Sequence, residues 1–248
     1  MDSQRYRIDV AYDGSAYAGW QVQPAAVTVQ QRIEDALAVL YGTPVKVHGS
    51  GRTDQGVHAR RQVAHVDLPA GAMACAALQR ALNALLPEDI RILRAAGAAP
   101  AFHARRSATG KEYRYCIWNG PVVPPFICRY RTHVRRPLDA ERLTEAAARL
   151  VGRHDFASFT ANPNRAVATT VRRLDRLDVR RHGCELTIVA AAEGLLSPMV
   201  RSLAGFLIRV GEGAEPPRAA TEVLHARQRT ARVPTAPAAG LFLWKVTY

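Results

Sequence analysis

The chain has 248 residues, of which 48% are hydrophobic and 22% charged, with a formal net charge of +13. That length supports one large domain or two small ones with a sizeable core, and no stretch approaches the roughly 20 uninterrupted apolar residues of a membrane helix. Only Lys46, Lys111 and Lys245 are lysines, so 31 of the 34 basic residues are arginine, whose planar fork suits phosphate and bases, although a chain-wide bias toward Arg and Ala explains the same number.

The opening Met1-Asp2-Ser3-Gln4-Arg5 runs straight into a strand-like stretch, with no basic segment leading into an apolar one. No signal peptide is therefore expected, and the expected location is cytoplasmic. Tyr6 to Tyr12 alternates, with Ile8, Val10 and Tyr12 on one face, and reads as a strand. Asp13-Gly14-Ser15 breaks it. Thr28 before Val29-Gln30-Gln31 makes a capping-box-like start. Ile33, Ala36, Leu37 and Leu40 follow at helical spacing, and Gly42 ends that helix. Val45 to His48 is a short strand, and Gln62 to Leu68 another, with His65 and Asp67 between apolar neighbours. Ala74 to Leu86 is a helix closed by Pro87, and Ile90 to Leu93 a strand. This half reads β-α-β-β-α-β.

In the second half, Tyr113 to Trp118 reads as a strand and Pro137 to Leu150 as a helix, with Asp139 and Glu141 near its positive end. Val171 to Val179 and Cys184 to Ala191 read as strands around Arg181-His182-Gly183. Ser197-Pro198 opens a helix through Val210, with Ser197 as N-cap and Pro198 in the first turn, and Gly211 closes it. Leu241 to Tyr248 is a last strand. The expected fold class is α+β: two ferredoxin-like, RRM-like β-α-β-β-α-β halves, residues 1–104 and 105–248, with sheets flanked by helices. Two such halves would place a basic cleft between two sheets, a common position for a site. Cys75, Cys116, Cys128 and Cys184 form no C-x-x-C pair, and no histidine cluster at zinc spacing joins them. Neither a disulfide nor a metal is expected.

The run Ser50-Gly51-Arg52-Thr53-Asp54-Gln55-Gly56-Val57-His58-Ala59 lies between two expected strands. An Asp in a turn ordinarily hydrogen-bonds its own backbone. Here Arg52 lies two residues upstream, His58 four downstream, and Gly51 and Gly56 allow close backbone approach to a ligand. Strand-flanked loops on a rigid scaffold often carry catalytic groups.

Gly51-Arg52-Thr53-Asp54-x-Gly56-Val57-His58-Ala59 resembles the signature of the tRNA pseudouridine synthase A family. Tyr12-Asp13-Gly14-Ser15-x-Tyr17-x-Gly19-Trp20-Gln21 resembles that family's opening, and Leu82-Asn83-Ala84-Leu85-Leu86-Pro87-Glu88-Asp89-Ile90 its second helix exit. Phe102-His103-Ala104-Arg105 with Ser107-Ala108 and Tyr113-x-Tyr115 resembles its central block. Met199-Val200-Arg201 with Gly205 and Val210-Gly211 resembles its third block, and Ala236 to Leu243 with Val246 and Tyr248 its ending. Six blocks in the family's order make the resemblance specific. Three departures stand out: Ser197-Pro198 where the family has aromatic or histidine residues, Arg106 where it has an apolar or aromatic one, and Lys111 in place of an arginine.

The resemblance implies the pseudouridine synthase fold and conversion of uridine to pseudouridine at positions 38 to 40 of the tRNA anticodon stem-loop. No cofactor or metal is implied, because the bonds broken and made are internal to the nucleotide. Asp54 would be the nucleophile; whether it attacks C1′, takes the 2′ proton or adds to C6 stays open. Tyr113 would stack on the flipped uracil and assist proton transfer at C5. Arg201 would pair with Asp54 and keep it ionised. Arg52 would help extrude the base or hold phosphate, with Arg105, Arg106, Arg172 and Arg173 as further phosphate contacts. Leu241 would line the substrate site, and His58 serves there or as a packed histidine. The implied partners are tRNA and a second copy of the chain, with one tRNA touching both subunits and no membrane. Two other readings compete. A non-catalytic RNA-binding module would suit tandem β-α-β-β-α-β units. An Asp-nucleophile glycosidase would need a second carboxylate that the signature run lacks.

Overall fold

The computed structural model describes residues 3–69, 71, 73–160 and 169–248. In chain order its elements are β1 (Ser3–Tyr12), α1 (Val29–Tyr41), β2 (Val47–Gly49), β3 (His58–Pro69), α2 (Cys75–Leu85), β4 (Ile90–Gly97), β5 (Gly110–Trp118), β6 (Thr132–His133), α3 (Ala140–Ala148), β7 (Gly152–Asp155), β8 (Val171–His182), β9 (Glu185–Ala192), α4 (Met199–Gly211), α5 (Ala219–Ala226) and β10 (Leu241–Thr247). The fold is α+β. Contacts group the chain into two units, residues 1–109 with 242–248, and residues 110–241. The sequence offers a break at 104/105 and leaves the last strand in the second half.

In the first unit the strand order is β4-β1-β3-β10, with β2 also on β3. β1 runs antiparallel to β3, Tyr6 opposite Val66 and Ile8 opposite Ala64. Tyr6, Ile8, Val10 and Tyr12, the alternating face of β1, are buried, and Asp9 between them is buried as well, paired with Arg7 and Arg61. Ile8, Val10, Val63 and Val66 are all fully buried, as are Ile33 and Leu37 of α1 and Leu78 and Leu82 of α2. The ends of α1 follow its sequence signals. The Thr28 hydroxyl accepts the Gln31 N–H, and Gly42 turns left-handed at φ +70 with its N–H on the Ala38 carbonyl. Asn83 of α2 accepts the Ile92 N–H (2.8 Å) and donates to the Ile92 carbonyl (2.9 Å), tying β4 to the helix. β3 begins at His58, ahead of the expected Gln62: Phe242 lies opposite His58 and Leu243 opposite Ala59, in parallel, and Tyr12 of β1 also pairs with Ala59.

His65 lies buried in β3 and accepts the Ala104 N–H at Nδ1 (3.1 Å). Its ring stacks on His48 at 4.9 Å and lies 4.7 Å from His103. Burial pushes its pKa down to about 4, assisted by His48, Arg5 and His103. An unfolded chain takes up that proton near pH ~6.5, while the folded one refuses it until about 4. Stability therefore falls as pH drops through this window. His65→Asn keeps an acceptor and removes the titration. The fall in melting temperature between pH ~6.5 and ~4 is expected to be shallower in the variant; parallel melting curves across the window would contradict this.

In the second unit the order is β7-β8-β9-β5, with β6 parallel to the end of β5. Leu174, Leu186, Ile188, Ala190, Tyr115 and Ile117 are buried, and α3 and α4 pack on β8 and β5. Three expected helix ends are corrected. α3 starts at Ala140, with Asp139 as its cap accepting the Glu141 and Arg142 N–H groups. α4 starts at Met199, and the Ser197–Pro198 peptide is cis. Pro198 takes the cap position without a side-chain bond, so Ser197 is not the N-cap. Gly211 is the last residue of α4 and does not stop it. A Cβ there would fall 2.2 Å from the Leu143 side chain, so the glycine makes room for α3. α5, β6 and β7 have no counterpart in the sequence reading. Among the described residues no helix is long and apolar enough to cross a membrane.

Candidate active site

Asp54 lies half-buried between β2 and β3, directly before the Gln55-Gly56 turn, and its carbonyl accepts the Val57 N–H at 3.1 Å. The loop is clamped to the segment after β1. The Trp20 N–H donates to the Thr53 carbonyl (3.1 Å), the Gly56 N–H to the Tyr17 carbonyl (3.4 Å), and the Tyr12 and Thr53 hydroxyls meet at 2.8 Å. Two glycines permit this contact. Gly19 has φ +100, and a Cβ there would fall 2.5 Å from the Thr53 carbonyl oxygen; one on Gly14 would fall 2.0 Å from that of Val57. On the other flank the Ser50 hydroxyl and Gln62 side chain bond each other, and Gln62 Nε2 donates to the Gly51 carbonyl (2.7 Å). Gly51, Thr53 and Gly56, the residues around Asp54, are thus held from two sides by groups outside the loop.

His58 is almost fully buried. Its Nδ1 accepts the Gly14 N–H (3.0 Å), lies 3.1 Å from an Asp13 carboxylate oxygen, and its ring stacks on Phe242 at 4.8 Å. These contacts tie the Asp13-Gly14 turn to β3. Arg52 is exposed and donates to Gln21 Oε1 at 3.3 Å. Arg105 and Arg106 are exposed on a turn whose amides donate to His103 Nδ1 (3.1 and 3.3 Å). The Tyr248 hydroxyl donates to the Ala104 carbonyl of that turn at 2.7 Å.

In the second unit Tyr113 lies half-buried in β5, Arg201 is the third residue of α4, and Leu241 is buried at the start of β10. Arg201 Nε donates to the Ala236 carbonyl (2.8 Å), and the Ala236 N–H donates back to the Arg201 carbonyl (3.0 Å). The Tyr115 hydroxyl bonds Thr132 and donates to the Pro237 carbonyl (2.9 Å); burial pushes its pKa up. Of the expected phosphate contacts here, Arg173 is paired with Asp175 (2.9 Å) and Arg172 donates to the Thr169 and Val171 carbonyls. Within the first unit the structure brings Arg52, Asp54 and His58 onto one clamped segment. Ala236 and Thr53, which hold candidate side chains or their loop, lie inside the family-like runs, but no role is expected of either from the sequence. Among the described residues no group of three or more His, Cys, Asp or Glu side chains is placed to hold a metal ion.

A family model described as tRNA pseudouridine synthase matches residues 9–105 and 146–248. Proteins named tRNA pseudouridine synthase A align along nearly the whole chain. The one from Pelobacter propionicus is 43% identical, with 98% of each chain covered. The one from Brevibacillus brevis is 44% identical over 99% of this chain and 100% of its own. The one from Rhodospirillum rubrum is 45% identical over 98% and 87%. The chain belongs to the tRNA pseudouridine synthase family. Arg52, Asp54, His58, Arg105, Arg201 and Leu241 fall within the stretches matched by the family model, and Tyr113 falls between them.

Proposed function

We propose that this protein isomerises uridine to pseudouridine in tRNA, at positions 38, 39 and 40 of the anticodon stem-loop, with Asp54 as nucleophile on a flipped-out nucleotide. The observation that supports it most is the Asp54 loop, a half-buried carboxylate on a backbone clamped from two sides, in a chain of this family. The N1–C1′ bond breaks, the uracil turns, and C5 bonds to C1′. The C5 proton leaves to solvent and N1 takes one up, so the reaction balances within the nucleotide. Tyr113 stacks on the extruded uracil and Arg201 keeps Asp54 ionised. Arg52 and Arg105 hold phosphates and offset the few kcal/mol of unstacking. The resemblance extends the proposal to a cytoplasmic homodimer.

The test uses unmodified tRNA carrying tritium at C5 of its uridines. Isomerisation must expel that tritium as water. Release is expected, and replacing uridines 38, 39 and 40 singly by cytidine will assign it. No release from any of several tRNAs would overturn the proposal.

A further inference from the structure

We propose that Arg229 is a positioning residue for Arg201, fixing the 229–236 segment whose Ala236 carbonyl orients the Arg201 side chain. The inference rests on the reading of Arg201 as the partner of the nucleophile. A guanidinium held at Nε presents its two terminal nitrogens as a fork of fixed direction. Ala236 does that holding through a reciprocal pair of bonds, 2.8 Å from Arg201 Nε and 3.0 Å back to the Arg201 carbonyl. Ala236 itself lies between α5 and β10, outside any helix or strand ladder. The Tyr115 hydroxyl holds the following residue through the Pro237 carbonyl (2.9 Å), which leaves the stretch before Ala236 to be fixed.

Arg229 supplies the fixing bonds. Its Nη2 donates to the Val233 carbonyl (3.1 Å) and to the Thr235 hydroxyl, and its Nη1 to the Thr160 carbonyl (3.2 Å). One planar side chain thus ties the segment at two points and anchors it to the turn after Phe159. Arg229 is half-buried, and its bonds among the described residues run to the Thr160 and Val233 carbonyls and the Thr235 hydroxyl. All its bonds go to neutral oxygens. Burial and the nearby Arg201 charge both press its pKa down. A partly desolvated cation beside another cation is unfavourable in itself. A neutral side chain would be cheaper there unless the three-acceptor geometry is needed. Lysine keeps the charge but cannot reproduce a planar fork.

The experiment measures kcat and KM for tritium release, with thermal melting, for Arg201→Gln, Arg229→Gln, Arg229→Lys and the double variant Arg201→Gln/Arg229→Gln. Arg229→Gln is expected to lower kcat ~10- to 100-fold, the scale of a misplaced group, with KM for tRNA within about twofold. Arg229→Lys is expected not to restore the rate. The double variant is expected to match Arg201→Gln within about twofold, because Arg229 acts through Arg201. A wild-type kcat in Arg229→Gln, full rescue by lysine, or losses that multiply in the double variant would each overturn the proposal. If Arg229→Gln does not fold, Thr235→Val removes one acceptor and carries the same test: a lowered kcat supports the proposal, an unchanged one overturns it. An undiminished rate in Arg201→Gln would remove the reading of Arg201 itself; a slow Arg201→Gln beside a normal Arg229→Gln removes only the positioning role.

Discussion

Asp54→Asn is expected to abolish tritium release, with a loss on the order of 10⁴-fold or more, as for removal of a covalent nucleophile. Asn matches Asp in shape and lacks the nucleophilic oxygen pair. The fold should survive the change. Bonds of the main chain of Asp54 and of Thr53, Gly51, Gly56 and Trp20 hold the loop and are untouched by the change, and a shift in melting temperature of no more than a few degrees is expected. tRNA binding should also survive, since phosphate contacts supply most affinity for a polyanion. Three measurements on one preparation therefore separate the readings: tritium release, melting temperature and filter binding of tRNA. Release within tenfold of wild type, in a variant that folds and binds, would exclude Asp54 as nucleophile and return the chain to the RNA-binding reading. Loss of binding together with release would place Asp54 in recognition and not in chemistry.

What could be read from sequence, and what could not, divides by the range of the interaction. α1 was legible at both ends because Thr28 and Gly42 act on neighbours three or four residues away. β1 was legible because its alternating Tyr6, Ile8, Val10 and Tyr12 are its buried face. The first residues of β3 were not, since His58-Ala59-Arg60-Arg61 lacks alternation; His58 and Ala59 find partners far along the chain in β10, and Ala59 also pairs with Tyr12 of β1. β6 and β7, of two and four residues, likewise exist through their partners. Ser197-Pro198 looks like a helix start in sequence, yet α4 begins at Met199 with Pro198 at the cap position. α5 does bury Ala219, Ala220, Val223 and Leu224 at helical spacing, but eight residues after Pro216-Pro217 make a faint signal. The same division holds at the site. The proposed role of Asp54 comes from its signature run. Arg229 was one arginine among 31, and what distinguishes it is the placement of the Thr160 and Val233 carbonyls.

Gly205→Ala poses a contest between two effects of opposite sign. Gly205 sits inside α4, where alanine is the better helix former by about 1 kcal/mol. A Cβ at this position, however, would lie 2.1 Å from the Pro234 carbonyl oxygen, 3.0 Å from its carbon and 3.2 Å from the Ala236 nitrogen. All three are backbone atoms, so no side chain can swing aside. The helix cannot retreat either, since Leu203, Ala204, Phe206 and Leu207 around the glycine are fully buried. The 234–236 segment must move, and overpacking of this kind costs ~1–3 kcal/mol, which outweighs the propensity gain. A melting temperature lower by several degrees is the expected result. The segment that moves carries both bonds to Arg201, so kcat should fall ~10- to 100-fold even at temperatures where the variant is fully folded. A raised melting temperature would show that the segment yields freely and that helix propensity wins. A lowered melting temperature with unchanged kcat would show that the orientation of Arg201 does not depend on Ala236.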